Sequence, residues 1–285
     1  MTITRTTLQI GLEKPVRALH ITDTHVSITD ERDDPHCQEV IRRCQVTNND
    51  PDGKVKIEYL KSAVAYANEH DDILINTGDT GDNISVASME ATCRVMDTAR
   101  RSLFISGNHD FSLYGWNSGW EGRTYKLDSY QKVRRHMGRD LLFASQVVGG
   151  VNFVGVDDSF NQVEDWQTEK LRREVAKGFP VILCMHIPLY EESLYDLLMA
   201  RPDKVAYLVG CDEAHLMRMS EYRAYQHRPE PATARFVDYV NSEPRIRALL
   251  TGHLHFDYES RLPGGAIQYV TNMNFDGCAR ELIIT

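Results

Sequence analysis

No apolar run in this chain approaches the roughly twenty residues that a membrane helix needs. The longest, such as Val181 to Met185, have the length of a strand. A bilayer span is excluded on that ground, and no membrane partner is expected. The stretch MTITRTTLQIGLEKP lacks both a continuous apolar core and a small-residue cleavage site, so export is not indicated and a cytoplasmic location is expected. A C-x-x-C pair is also missing. The six cysteines (Cys37, Cys44, Cys93, Cys184, Cys211, Cys278) are scattered, several among apolar residues, and are read as reduced and structural. Positive charge is scarce, with 32 Lys and Arg against 41 Asp and Glu and a net charge of -9. Such a chain repels a long polyanion, so extended nucleic acid is not an expected partner. An anionic substrate must then be drawn in locally, by bound metal or by a few placed cations. No Pro/Gly/Ser-rich linker, low-complexity tract or internal repeat divides the 285 residues, which predicts one domain over 1–285.

What the chain does contain is a recurring unit, a short apolar run that ends in a polar cluster. Residues 17–22 precede Asp23, 73–76 precede Gly78, 103–105 precede Gly107, 181–185 precede His186, and 248–250 precede Gly252. Each run has strand length and composition. Between the first runs, Leu60, Ala63, Val64 and Ala67 repeat at helical spacing, as do Val86, Met89, Cys93 and Met96 behind Ser85 as N-cap. Strands alternating with helices predict an α/β fold. Residues 141–148 and 151–156 around Gly149-Gly150 predict a β-hairpin, and further strands flank Pro263-Gly264-Gly265 and end at the carboxyl terminus, so the sheets are expected to be mixed. In open α/β sheets ligands gather beyond the carboxyl ends of strands, where all these clusters fall.

The clusters read Asp23-Thr-His25, Gly78-Asp79-Thr-Gly-Asp82, Gly107-Asn108-His109-Asp110, a lone His186, and Gly252-His253-Leu-His255. If they lie on strands, Asp23 with His25 and His253 with His255 project from one face as ready ligand pairs. Imidazole with carboxylate and amide oxygen suits Mn, Fe or Zn rather than Ca or a Cys-rich structural zinc. Seven candidate ligands exceed what one ion with an open position accepts, which predicts two metal ions sharing a carboxylate.

This ordered set resembles the calcineurin-like metallophosphoesterase family, whose pattern D-x-H, G-D-x-x-D, G-N-H-[DE], H and G-H-x-H is complete here from Asp23 to His255. The resemblance implies a sandwich of two mixed β-sheets flanked by helices. It implies that Asp23, His25 and His255 hold one metal, that Asn108, His186 and His253 hold the other, and that Asp79 bridges them. It also places His109 beside the metals without making it a ligand, as general acid, with Asp82 holding its imidazole charged and oriented.

The expected activity is hydrolysis of a small phosphoester: a water shared by two cations loses a proton near neutral pH, and the resulting hydroxide attacks phosphorus in line. Family members with G-D-x-x-D-R-G and G-N-H-E look like Ser/Thr protein phosphatases, whose arginine grips phosphate. Here Asn83 stands in place of that arginine and Asp110 in place of the glutamate. The sequence therefore looks more like the cyclic-nucleotide phosphodiesterase branch, and a small phosphodiester is the expected substrate. The alternatives are a phosphomonoesterase or protein phosphatase, a non-catalytic metal-binding scaffold, and a nuclease acting on short oligonucleotides.

Other polar residues read as structural. Asp110 is expected to bond backbone around the Asn108 turn, and His20 to pack within a strand. Asp30, Glu31, Asp33, Asp34 and His36 read as a solvated loop, Asp212-Glu213-Ala214-His215 as part of a helix, and Arg134, Arg135, His136 and Arg139 as the solvated face of one. Phe111, Tyr114, Trp116, Trp120 and Tyr125 form an aromatic-rich segment, expected to pack against the body or to wall a pocket. The segment 187–240 carries Tyr190, Tyr195, Tyr207, Tyr222, Tyr225 and His227 with interspersed arginines, and is expected either to cap the site or to form a dimer contact, with oligomeric state open.

Overall fold

The computed structural model describes residues 1–111 and 123–285, and within 123–128 the backbone alone. Two strands open the chain, β1 (Thr2–Leu8) and β2 (Val16–Ile21). Helix α1 (Pro35–Thr47) begins where the Asp34 carboxylate accepts from the backbone N–H groups of His36 and Cys37, with proline at the first helical position. The acidic stretch is therefore not simply a solvated loop. Asp34 caps a helix, and buried Asp33 accepts from the Val86 N–H at 2.8 Å. Helix α2 (Lys54–His70) buries Leu60, Ala63, Val64 and Ala67, as their spacing predicts. After β3 (Ile73–Asn76), helix α3 (Val86–Met96) starts with the Ser85 hydroxyl accepting from Ser88 N–H. Strand β4 (Ser102–Phe104) and helix α4 (Arg123–Met137) follow.

Strands β5 (Phe143–Val148) and β6 (Val151–Val156) form the expected antiparallel hairpin, its turn made by Gly149 and Gly150 at φ 55° and 86°. Then come α5 (Asp165–Val175), β7 (Val181–Cys184), α6 (Glu192–Met199), α7 (Glu213–Leu216), α8 (Glu221–His227) and α9 (Pro231–Ser242). Strands β8 (Ile246–Thr251), β9 (Tyr258–Arg261), β10 (Ile267–Val270) and β11 (Cys278–Ile284) end the chain. Among the described residues no helix is long and apolar enough to cross a membrane.

One sheet has the order β1-β11-β2-β3-β4, antiparallel only between β11 and β2. The other runs β5-β6-β7-β8-β10-β9, antiparallel at β5-β6 and β10-β9. The strand alternation sends side chains to different cores. Ala18, Ile73, Ile75, Ile182 and Cys184 meet between the sheets, whereas Leu19, Leu74 and Phe104 face α2, α3 and α4, and Leu183 and Leu249 face α5 and α9. The chain is thus an α/β sandwich of two mixed sheets flanked by helices, which explains why its inner strands are buried along most of their length.

Within 187–240 the structure distinguishes two parts. Phe236 and Val240 of α9 belong to the core under the second sheet. Residues Leu194, Leu198, Val205, Leu208 and Leu216 instead gather in a separate apolar cluster that leans on Leu254 and Val270. Asp212 caps the short α7 by accepting from His215 N–H. Arg139 lies beyond the end of α4 and pairs with Asp97, while His136 sits 3.6 Å from Glu90, so this basic run is only partly a solvated face. Phe111 is fully buried; Tyr114, Trp116, Trp120 and the Tyr125 side chain lie outside the described residues.

Candidate metal centre

The five polar clusters converge at the carboxyl ends of β2, β3, β4, β7 and β8. Backbone bonds carry the strand pairing on into the loops: Asp23 N–H donates to Gly78 O, His25 N–H to Asp79 O, and Gly252 N–H to His186 O, each at 2.9 Å. The two sheets are stitched where His253 N–H donates to Asp23 Oδ2 at 2.9 Å.

The ligand pairs do not arise as strand alternation predicts. Strand β2 ends at Ile21 and β8 at Thr251, ahead of both pairs. Asp23, His25, Asp79, His253 and His255 all adopt left-handed backbone, with φ of 53°, 51°, 49°, 69° and 59°. For side chains other than glycine this costs about 1–2 kcal/mol each. The surrounding hydrogen bonds hold these residues there, and the resulting curl turns successive side chains inward.

Two glycines make the close approach possible. A Cβ on Gly252 would sit 1.9 Å from Thr22 Oγ1 and 2.4 Å from Asp23 Oδ2, and one on Gly107 would sit 2.2 Å from Asp79 Oδ1. The Gly-Asn and Gly-His dipeptides thus reflect backbone packed directly against carboxylates, whereas Gly78 of the Gly-Asp pair packs against the backbone of Ser106 and Gly107.

Among the described residues three groups of metal-capable atoms result, each with its atoms within 4.8 Å of one another: Asp23, His25 and His255; Asp79, His186 and His253; and His25, Asp79 and His109. His255 Nε2 lies 3.2 Å from Asp23 Oδ1 and 3.4 Å from His25 Nε2. His253 Nδ1 lies 3.2 Å from His186 Nε2. Asp79 Oδ2 is 3.1 Å from His186 Nε2 and 3.9 Å from His25 Nε2, so one carboxylate oxygen faces both the first and the second group.

The opposite ends of these side chains are already bound. Asp23 Oδ2 accepts from Thr22 Oγ1 and Asp79 Oδ1 from His109 N–H, leaving the other oxygens to the pocket. His186 Nδ1 donates to Thr77 O at 2.9 Å, which turns Nε2 toward Asp79 and His253 as the nitrogen able to coordinate. Among the described residues Asn108 Oδ1 is buried with no hydrogen-bond partner. A buried carbonyl oxygen without a donor is costly unless a cation takes that place.

Charge points the same way. Burial alone would raise the Asp23 and Asp79 pKa values, but the imidazoles of His186, His25, His255 and His109 outweigh it and hold both carboxyls below their usual range. His186 resists burial because Asp79 and Asp23 push it up to about 10, while burial and charged His186 push His253 down to about 3. Buried carboxylates are here balanced by protons that bound cations would displace. Donor chemistry, the orphaned Asn108 oxygen and the charge balance all fit two transition metal ions.

Two further carboxylates act on histidines. Asp82 Oδ1 reaches both His25 Nδ1 and His109 Nδ1. Asp158, which the sequence reading did not single out, accepts from the backbone N–H groups of His186 and Ile187 at 3.0 Å each. Its only signal was an acid pair at the end of β6. Asp110 bonds backbone, accepting from Thr80, Gly81 and Gly107 N–H, as expected. His20 is a core residue spanning Thr77 and Thr271 at 2.8 Å each. Asn83 is buried, with Nδ2 3.9 Å from Cys44 Sγ.

The calcineurin-like phosphoesterase family model matches residues 16–257. Among solved structures the chain is similar to a dimetal phosphatase from Danio rerio, at 13% identity, covering 91% of this chain and 88% of that one with a TM-score of 0.49. It is similar also to a purple acid phosphatase from yellow lupin seeds (14%, 90% and 44%, TM-score 0.52) and to a phosphopantetheinyl hydrolase from Mycobacterium tuberculosis (14%, 90% and 89%, TM-score 0.43). No curated protein matches the sequence.

Proposed function

Because the chain belongs to the calcineurin-like phosphoesterase family, we propose that it is a two-metal phosphodiesterase for small substrates, with Asp23, His25 and His255 holding one ion, Asn108, His186 and His253 the other, and Asp79 between them. The observation that carries this reading is the single Asp79 oxygen facing both groups of ligands. The ions would polarise phosphoryl oxygens and make water nucleophilic near neutral pH.

The protein's own groups do the rest. His109 is held at Nδ1 by Asp82 and would give a proton to the departing alcohol. Burial disfavours its charged form, but Asp79 and Asp82 more than offset this and raise its pKa, keeping the acid loaded. Its backbone N–H on Asp79 Oδ1 ties the position of the acid to that of the bridging carboxylate.

The diester preference is supported by position 83, where a buried carboxamide occupies the place of a phosphate-gripping arginine. A monoanionic diester needs less clamping than a dianionic monoester. Turnover of matched aryl diesters and monoesters after loading with Mn, Fe or Zn tests the reading, followed by 2′,3′- and 3′,5′-cyclic nucleotides. Diester turnover well above monoester turnover is expected; a strong monoester preference would overturn it.

A further inference from the structure

The Leu189–Val209 bridge, with Tyr190 N–H on Val209 O and Val209 N–H on Pro188 O at 2.8 Å each, draws residues 205–209 alongside the chain that leaves His186. Half-buried Tyr207 is thereby set edge to face against His253, with ring centroids 5.6 Å apart, and against His227 of α8 at 5.5 Å. One turn before His227, the Arg223 guanidinium lies 5.7 Å from the Tyr207 ring, and its Nη1 donates to Gln226 Oε1 at 3.0 Å. The neighbouring arginines are paired, Arg218 with Asp196 and Arg228 with Glu213. Among the described residues no carboxylate lies within ion-pair distance of Arg223.

Buried carboxamides lie where α8 meets the turn after β6. Among the described residues Gln226 Nε2 is buried without a partner, as are both side-chain polar atoms of Asn161. Asn161 belongs to the tight turn that follows β6 and packs on α8, where Gln162 Nε2 donates to Arg228 O at 2.9 Å. Phe160 and Asn161 are both left-handed, at φ 64° and 61°. These buried side chains pack α8 against the turn after β6 and fix the helix that carries Arg223.

We propose that α8 is the substrate-recognition arm of the metal centre, with Arg223, reached across Tyr207, binding an anionic group on the organic half of a phosphoester. In a chain of net charge -9, a cation with no carboxylate partner among the described residues, separated from His253 by the Tyr207 ring, selects a substrate bearing a carboxylate or a second phosphate over one with an uncharged tail. The inference rests on the two-metal phosphoesterase reading and names its substrate class.

Titration calorimetry of the full, manganese-loaded chain tests it with two ligands that cannot be hydrolysed, 3-phosphonopropionate and propylphosphonate. The carboxylate-bearing ligand is expected to bind about tenfold to a hundredfold more tightly, the worth of one charge-assisted hydrogen bond. Arg223→Gln should bring that ratio close to one, and Arg223→Lys should restore part of it. Equal affinities in the native chain overturn the inference and leave the phosphoester site standing. So does an Arg223→Gln loss shared equally by both ligands, which would mean that the arginine grips the phosphoryl group itself. Binding of both ligands that is indifferent to manganese overturns the metal-centre reading, and the inference with it.

Discussion

Asp82 Oδ1 lies 3.1 Å from His109 Nδ1, and the same oxygen lies 3.2 Å from Nδ1 of His25. One carboxylate thus orients both the proposed acid and a proposed metal ligand, with Ser27 Oγ as a further donor at 3.3 Å. Burial would raise the Asp82 pKa, yet the two imidazoles hold it well below the usual carboxylate range, so it stays charged.

This double contact separates two variants. His109→Ala is expected to keep both metals while turnover falls about a hundredfold to ten-thousandfold, the range for a general acid. Asp82→Asn is expected to lower both turnover and metal affinity, each by about tenfold to a hundredfold, because a partner behind a ligand is lost as well. Metal content by elemental analysis and kcat on an aryl diester decide the matter. An unchanged kcat in His109→Ala would remove that residue from the chemistry.

Asp79→Asn tests the shared oxygen. An amide carries no charge to offset two cations, so the variant is expected to retain at most one ion per chain and to lose activity below detection. The His109 backbone N–H can still bond the amide oxygen, which keeps the turn in place and confines the change to charge. Full occupancy by two ions would contradict the bridging role.

The site residues were readable because each follows an apolar run: Asp23, Asp79, Asn108, His186 and His253 stand just past strands whose composition announces them. How they converge was not readable. Strand alternation suggested side chains on one pleated face, whereas left-handed backbone at Asp23, His25, Asp79, His253 and His255 turns them inward, and that conformation is imposed by tertiary bonds such as His253 N–H to Asp23. The parallel pairing of β1 with β11 joins the two ends of the chain, beyond the reach of any local pattern. Asp34-Pro35 did carry a helix-start signal, but the surrounding acids made it look like a charged loop.

Glycine at 252 gives a stability prediction with an internal contrast. Gly252→Ala pushes a methyl onto Thr22 Oγ1 and Asp23 Oδ2, so the loop must retreat and the bond from His253 N–H to Asp23 is strained or lost. A destabilisation of about 1–3 kcal/mol is expected, with weakened metal binding. Gly81→Ala, in the neighbouring loop, meets nothing nearer than 3.5 Å and should be tolerated. Thermal melts with and without manganese compare the two; equal behaviour would show that close packing is not what position 252 requires.

Asp71 ends α2 with both carboxylate oxygens buried and unbonded. Burial, and then the nearby Glu281 carboxylate, raise its pKa from 3.8 to about 7, and a negative charge at a helix carboxyl terminus is itself unfavourable. The folded chain therefore holds this proton more tightly than the unfolded chain does. Stability contributed by the protonated form is present below pH 3.8, declines as pH rises toward 7, and stays lost above it. Asp71→Asn keeps the shape and removes the charge. Metal-free variant and parent should melt together near pH 4, with the variant melting higher at pH 8. A gap of the same size at both pH values would mean that the carboxyl is not coupled to folding through its proton, and a lower melting temperature for the variant at pH 8 would mean that the charged form is stabilising where it stands.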